Sequence, residues 1–197
     1  SMAGDGGGTI KTFVAGDVRA AEQPGLTSLH TLFVRLHNNI CNRLQKEGFQ
    51  DDETIFQKAR KEVGGIIQAI TYNEFIPALG IRLDRSTRYN DRTQADISNI
   101  FATAGYRLGH TMVTDELLLK DDQCNDIETG SLSLLEGFFN PSVVAEYNID
   151  PILKGLSLQV QNEVDLLIID NLRNFLFGDP SSGNALGLDL ASLNIQR

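Results

Sequence analysis

Two cysteines in 197 residues are too few for a disulfide framework; Cys41 and Cys124 allow at most one bridge and leave the redox compartment open. No apolar run approaches the roughly 18 residues that a membrane-spanning helix needs. The strongest candidate, residues 164–169, is interrupted by Asp165, so no membrane span is expected. Positive charge is scarce as well. Seventeen Lys and Arg against 26 Asp and Glu give a net charge of −9, which argues against nucleic-acid backbones and anionic membranes as partners. The opening Ser-Met-Ala-Gly-Asp-Gly-Gly-Gly lacks the basic and apolar regions of a secretion signal, and residues 1–11 read as a flexible N-terminal segment. There is no internal repeat, no low-complexity tract and no alternating run long enough for a sheet.

What is present is helical periodicity. Leu29, Leu32, Phe33, Leu36 and Ile40 recur at spacings of three and four, continuing to Leu44, with Thr27 or Ser28 as cap and Gly48 as stop. Asp51 and Asp52 suit the positive end of a second helix, whose inward stripe reads Ile55, Phe56, Ala59, Val63, Ile66, Ile67 and Ile70. Pro77 breaks the segment that follows, and residues 80–92 form a polar, arginine-rich connection. Residues 115–130 are acidic and poorly periodic, as in a loop. Pro141 and Pro151 mark helix starts. A last amphipathic helix is expected over residues 163–177, with Val164, Leu167, Ile168, Leu172, Phe175 and Leu176 inward, before a turn-rich stretch and a short apolar element ending at Arg197. The expected fold is all-α with little or no β.

Within this helical chain His110 stands out. It lies in an apolar, helix-length segment expected to start at Thr93 or Asp96, with Tyr106 and Arg107 flanking the face that carries the imidazole. Gly105 and Gly109, four apart, each cost roughly 1 kcal/mol relative to alanine inside a helix. Two glycines beside a histidine suit the close approach of something broad and flat. From the residues alone two readings stand: a satisfied core histidine, or a ligand for a metal or haem iron.

Three other places could carry chemistry. Arg19 and Glu22 stand three apart in a turn-rich stretch closed by Pro24-Gly25, a pair that from the residues alone reads as a solvated ion pair before it reads as a site. His30 and His37 share a helix face, but seven residues is about 10 Å of rise, too far for one ion, and both read as structural. Asn194, alone in an apolar run, is a cap or turn residue on the plain reading.

Four separated segments, in order, resemble the animal-type haem peroxidases. They are Gly16-Asp-Val-Arg-Ala-Ala-Glu-Gln-Pro-Gly-Leu-Thr-Ser-Leu-His-Thr-Leu-Phe-Val-Arg35, Ala59 through Leu79, Phe101-Ala-Thr-Ala-Gly-Tyr-Arg-Leu-Gly-His-Thr111, and Leu190-Ala-Ser-Leu-Asn-Ile-Gln-Arg197. The resemblance covers roughly residues 12–197 and implies a partial haem-peroxidase-like helical domain. It implies a haem-dependent peroxidase that reduces hydrogen peroxide and oxidises small organic donors or halides. By the resemblance His110 is the proximal ligand to the haem iron, and Arg19 is the catalytic cation that stabilises the leaving hydroxide as the O–O bond breaks. Glu22 is the carboxylate that can become ester-linked to haem. Arg107, Asn194 and Arg197 also fall to cofactor binding, Asn194 by accepting the Nδ1 proton of the proximal imidazole.

Departures matter too. Gln23 stands where some members carry a methionine that makes a further link to haem. Leu36 and Asn39 each replace a charged residue of the usual pattern. The family's distal histidine, a second ester-forming aspartate and a calcium loop fall upstream of Arg19, so the stretch is expected to lack the proton shuttle for peroxide and to need the rest of such a domain. The other reading is therefore a truncated or degenerate haem-binding helical module without turnover. A secreted, extracellular setting is what the resemblance favours.

Overall fold

The computed structural model describes residues 14–84 and 89–176. The described residues divide into two compact units: those within 31–95 form one, and those within 1–30 together with 96–197 form the other. Helix α1, Pro24–Lys46, begins in the second of these and continues into the first. The expectation of an all-α fold is borne out, and the only ladder among the described residues joins two strands of two residues each.

In the unit of residues 31–95, α1 is followed by α2, Asp52–Ile70. Gly48 ends α1 as expected: its φ of 101° is the left-handed conformation glycine adopts without cost. The Phe49 N–H then returns to the Leu44 carbonyl at 3.2 Å. Asp51 caps α2 by accepting the Thr54 N–H at 2.8 Å. Ile40 and Leu44 pack against Ile55 and Ala59, with Leu36, Cys41, Phe49 and Val63 around them. Burying each large aliphatic here contributes about 1.5–3 kcal/mol. The inward stripe of α2 is narrower than expected, because Phe56, Ile67 and Ile70 are exposed. Periodicity reports which face is apolar, and of that stripe Ile55, Ala59 and Val63 pack with α1 residues. Beyond α2 the chain passes through a π-helical turn, Thr71–Phe75, into the short α3, Ile76–Ala78.

In the other unit, a 3₁₀ turn, Val18–Ala21, precedes α1. Helix α1 starts one turn earlier than Thr27 or Ser28. Both of those residues are buried instead, and the Thr27 hydroxyl donates to the Ala20 carbonyl at 2.9 Å. Leu29 and Leu32, expected inside, are exposed. The His110 segment is also corrected. Its helix α4, Asn99–Thr103, is capped by Ser98, whose Oγ accepts the Phe101 N–H at 3.2 Å, and it breaks at Ala104. A 3₁₀ helix, Gly105–Met112, follows. The two low-propensity glycines fall in this tighter segment, where a regular α-helix would have been weakest.

The stretch read as an acidic loop is largely turns and loop over residues 121–130, but its first part enters the core. Strand β1, Glu116–Leu117, pairs antiparallel with β2, Leu132–Ser133, and Leu117 and Leu119 point inward at a spacing of two. They pack with Leu132 of β2 and with Leu134, Val143, Val144, Ile149 and Ile152 from α5 (Leu134–Gly137), α6 (Ser142–Tyr147) and α7 (Ile149–Leu158). Acidic neighbours hid this, since three consecutive leucines, 117–119, carry no alternation from which the inward pair could be read.

Of the helix expected over residues 163–177, only a final turn forms among the described residues. The chain runs irregularly to Ile169 and then makes one π-helical turn, Asn171–Phe175. Asp165 takes the Leu167 N–H at 2.7 Å, a local side-chain bond that competes with helix formation. Val164, Leu166 and Leu167 are exposed, while Leu172 and Leu176 are buried as expected.

Candidate functional site

A cavity of about 400 Å³ opens in the unit that holds residues 1–30 and 96–197. Its wall includes His110 and Glu22 together with Gln23, Met112, Phe138 and Leu172. Two residues singled out from sequence, far apart along the chain, thus share one cavity. It is of a size that ligand sites use, and most of its lining is aliphatic or aromatic.

His110 arrives on the 3₁₀ helix, half-buried, with its Nδ1 atom shielded from solvent. After Met112 the backbone turns extended at Val113, and Asn162 fixes that turn. The Asn162 backbone N–H donates to the Met112 carbonyl at 3.1 Å, and its side-chain Nδ2 donates to the Val113 carbonyl at 2.7 Å. Gln159 continues the seam. Its Nε2 donates to Thr114 Oγ1 at 2.6 Å and to the Glu116 carbonyl at 2.5 Å, while its Oε1 accepts the Leu118 N–H at 3.1 Å. Sequence reasoning missed both amides, because a side-chain clamp on a neighbouring backbone leaves no periodic trace.

Glu22 closes the 3₁₀ turn, its own N–H bonded to the Arg19 carbonyl at 3.0 Å. Its carbonyl accepts the Phe139 N–H at 3.0 Å, which ties the turn to the segment after α5. Pro24, fully buried, packs on Gly137, where an added Cβ would lie 2.7 Å from the proline ring. Gln23 folds back to accept the Gly25 N–H at 2.7 Å. These contacts set the position of the Glu22–Gln23 side of the cavity.

Arg19 is arranged differently. Its guanidinium forks onto Asp17, Nη2 to Oδ2 at 2.6 Å and Nε to Oδ1 at 3.0 Å, with its side chain 78% exposed. Asp17 also accepts the Arg19 backbone N–H at 2.9 Å. The hydrogen bonds from Arg19, side chain first and backbone next, lower the Asp17 carboxyl to a pKa of about 2. Arg19's salt bridge is therefore with Asp17, and Arg19 is not part of the cavity wall. Arg107 is exposed, its Nε donating to the Ala102 carbonyl at 3.0 Å. Asn194 and Arg197 lie outside the described residues. A Cβ at Gly109 would meet nothing within 4 Å, so there is open space beside that glycine.

The animal haem peroxidase profile matches residues 2–197. The chain is 40% identical to human "Peroxidasin homolog" over 95% of its own length and 13% of the relative's. It is 37% identical to human myeloperoxidase, over 95% of this chain and 26% of the other. It is 36% identical to peroxinectin A of Dictyostelium discoideum, over 94% of this chain and 34% of that one. The solved peroxidase A from D. discoideum superposes with a TM-score of 0.82 at 35% identity, covering 94% of this chain and 35% of that structure. The chain thus spans about a third or less of the length of these relatives. Its helical fold and its matched sequence together establish that it belongs to the animal haem peroxidase family.

Proposed function

We propose that this chain forms the His110-bearing side of a haem-dependent peroxidase, which reduces hydrogen peroxide and oxidises small organic donors or halides. The observation that carries this reading is the convergence of His110 and Glu22 on one largely apolar cavity. A haem needs apolar walls for its macrocycle, a nitrogen donor for its iron and a polar group at its edge, and the lining residues fit all three. When bound, haem supplies the redox chemistry toward peroxide.

The protein's share follows from its own residues. His110 would hold the iron through Nε2, since Nδ1 is the shielded ring atom. In this reading Asn194 accepts the Nδ1 proton, which fixes the tautomer and raises the ring's basicity. Glu22 would anchor the edge of the macrocycle and is the group for an ester link. Gln23 beside it has no thioether and cannot make a sulfur link. Arg19 would stabilise negative charge on the leaving oxygen, with Arg107 and Arg197 as further contacts to the cofactor. An extracellular setting and dependence on the remainder of a peroxidase domain belong to the same proposal.

A haem-binding module without turnover is the second reading, favoured by the fork of Arg19 onto Asp17 and away from the cavity wall. Peroxide-driven oxidation of a chromogenic donor by the haem-loaded chain, joined to the remainder of a peroxidase domain, separates the two. The peroxidase reading expects turnover that falls roughly 10²-fold or more in Arg19→Ala with haem content kept. Haem binding with no turnover above free haem would leave the second reading.

A further inference from the structure

His37 and Cys41 stand one turn apart on α1, the i and i+4 positions whose side chains meet on a helix surface. Their ligating atoms, His37 Nδ1 and Cys41 Sγ, are 3.6 Å apart. Both residues are half-buried, and Cys41 is a free thiol. The imidazole is held edge-on against Phe56 of α2, ring centroids 5.3 Å apart at an interplanar angle of 60°, so the ring's orientation is constrained by packing. His37 Nε2 is buried, and no described residue hydrogen-bonds to it. Nδ1 is thus the ring nitrogen that an ion can reach.

We infer that His37 Nδ1 and the Cys41 thiolate chelate one borderline-soft divalent cation of the zinc class. Zinc bonds of about 2.3 Å to sulfur and about 2.05 Å to nitrogen, closed on the observed 3.6 Å separation, give a sulfur–metal–nitrogen angle of about 110°. That is close to the tetrahedral value, so the observed separation suits one shared ion. The metal displaces the thiol proton to solvent and water completes the shell. In the metal-free protein the same separation suits a hydrogen bond between thiol and imidazole. The pair lies within the unit of residues 31–95, whereas the cavity bearing His110 lies in the other, so the inference is independent of haem.

Cobalt(II) is the probe, because a bound thiolate gives it a charge-transfer absorption that oxygen and nitrogen ligands do not. The full chain should bind one cobalt ion with that band, and zinc should displace it. Cys41→Ser should abolish the band, while Cys124→Ser, which removes the exposed second thiol, should leave it unchanged. Loss of an outer-shell partner alone costs a metal site about 10–100-fold, so loss of the imidazole in His37→Phe should weaken cobalt binding at least that much. Phenylalanine keeps a ring against Phe56, and an unchanged far-ultraviolet circular dichroism spectrum confirms that the helix persists. No band in the parent chain, a band retained in Cys41→Ser, or undiminished affinity in His37→Phe would each overturn the inference.

Discussion

Gly155 of α7 lies directly against the backbone of Leu118: a Cβ built on the glycine would sit 1.6 Å from the Leu118 carbonyl oxygen. This approach lets α7 close on β1 and brings Ile152 into the cluster with Leu117 and Leu119. Gly155→Ala must push the helix off the strand, because the clashing atom is backbone and cannot rotate away. The expected loss is about 3 kcal/mol or more, at or beyond the top of the usual range for overpacking. Urea denaturation of parent and variant measures it, and a loss under about 0.5 kcal/mol would mean that the contact is not made.

Gln159 holds three backbone or side-chain partners on the segment that follows His110. Gln159→Met keeps the length and removes every bond, leaving the part-buried Leu118 N–H without its acceptor. A destabilisation of about 1–3 kcal/mol is expected. Because these bonds tie residues 114, 116 and 118 to Gln159, hydrogen exchange at residues 113–118 should accelerate in the variant. Unchanged exchange there would show that Asn162 alone carries the seam.

Asp17 provides a pH test of the Arg19 geometry. Its pKa is lowered from 3.8 to about 2, first by the hydrogen bond from the Arg19 side chain. A carboxyl depressed in the folded state contributes stability that is complete above its ordinary value and is lost as pH falls through the lowered one. The window therefore runs from about pH 4 down to about pH 2. The pair is fully exposed, so solvent and salt screen its effect on global stability. The sharper readout is the carboxyl's own titration by nuclear magnetic resonance. The midpoint should lie near 2 in the parent chain and return toward 3.8 in Arg19→Ala. A parent midpoint already near 3.8 would show that the fork is not populated in solution.

The helices α1 and α2 were legible because each carries local punctuation. Gly48 adopts the left-handed stop its position indicated, and Asp51, read as suiting the positive end of α2, also makes its cap. The cavity was half legible: His110 stood out by residue type in context and Glu22 through the family resemblance, and they do share a wall. Arg19 pairs with Asp17, two residues before it, which a count of spacings did not separate from Glu22 three residues after. The core leucines of residues 117–119 and the amides of Gln159 and Asn162 were not legible. Their roles depend on what a distant segment presents to them. Residues 163–177 failed for a related reason, since an apolar pattern does not record that Asp165 captures a backbone N–H and starts a turn.

The central claim is that His110 ligates haem iron in the cavity it shares with Glu22, and a haem titration followed by absorption spectroscopy tests it most directly. The full chain is expected to develop a Soret band shifted from that of free haem and saturating at one equivalent. His110→Ala should lose the shifted band while its far-ultraviolet circular dichroism stays unchanged. The same shifted, saturable band in His110→Ala would contradict the account.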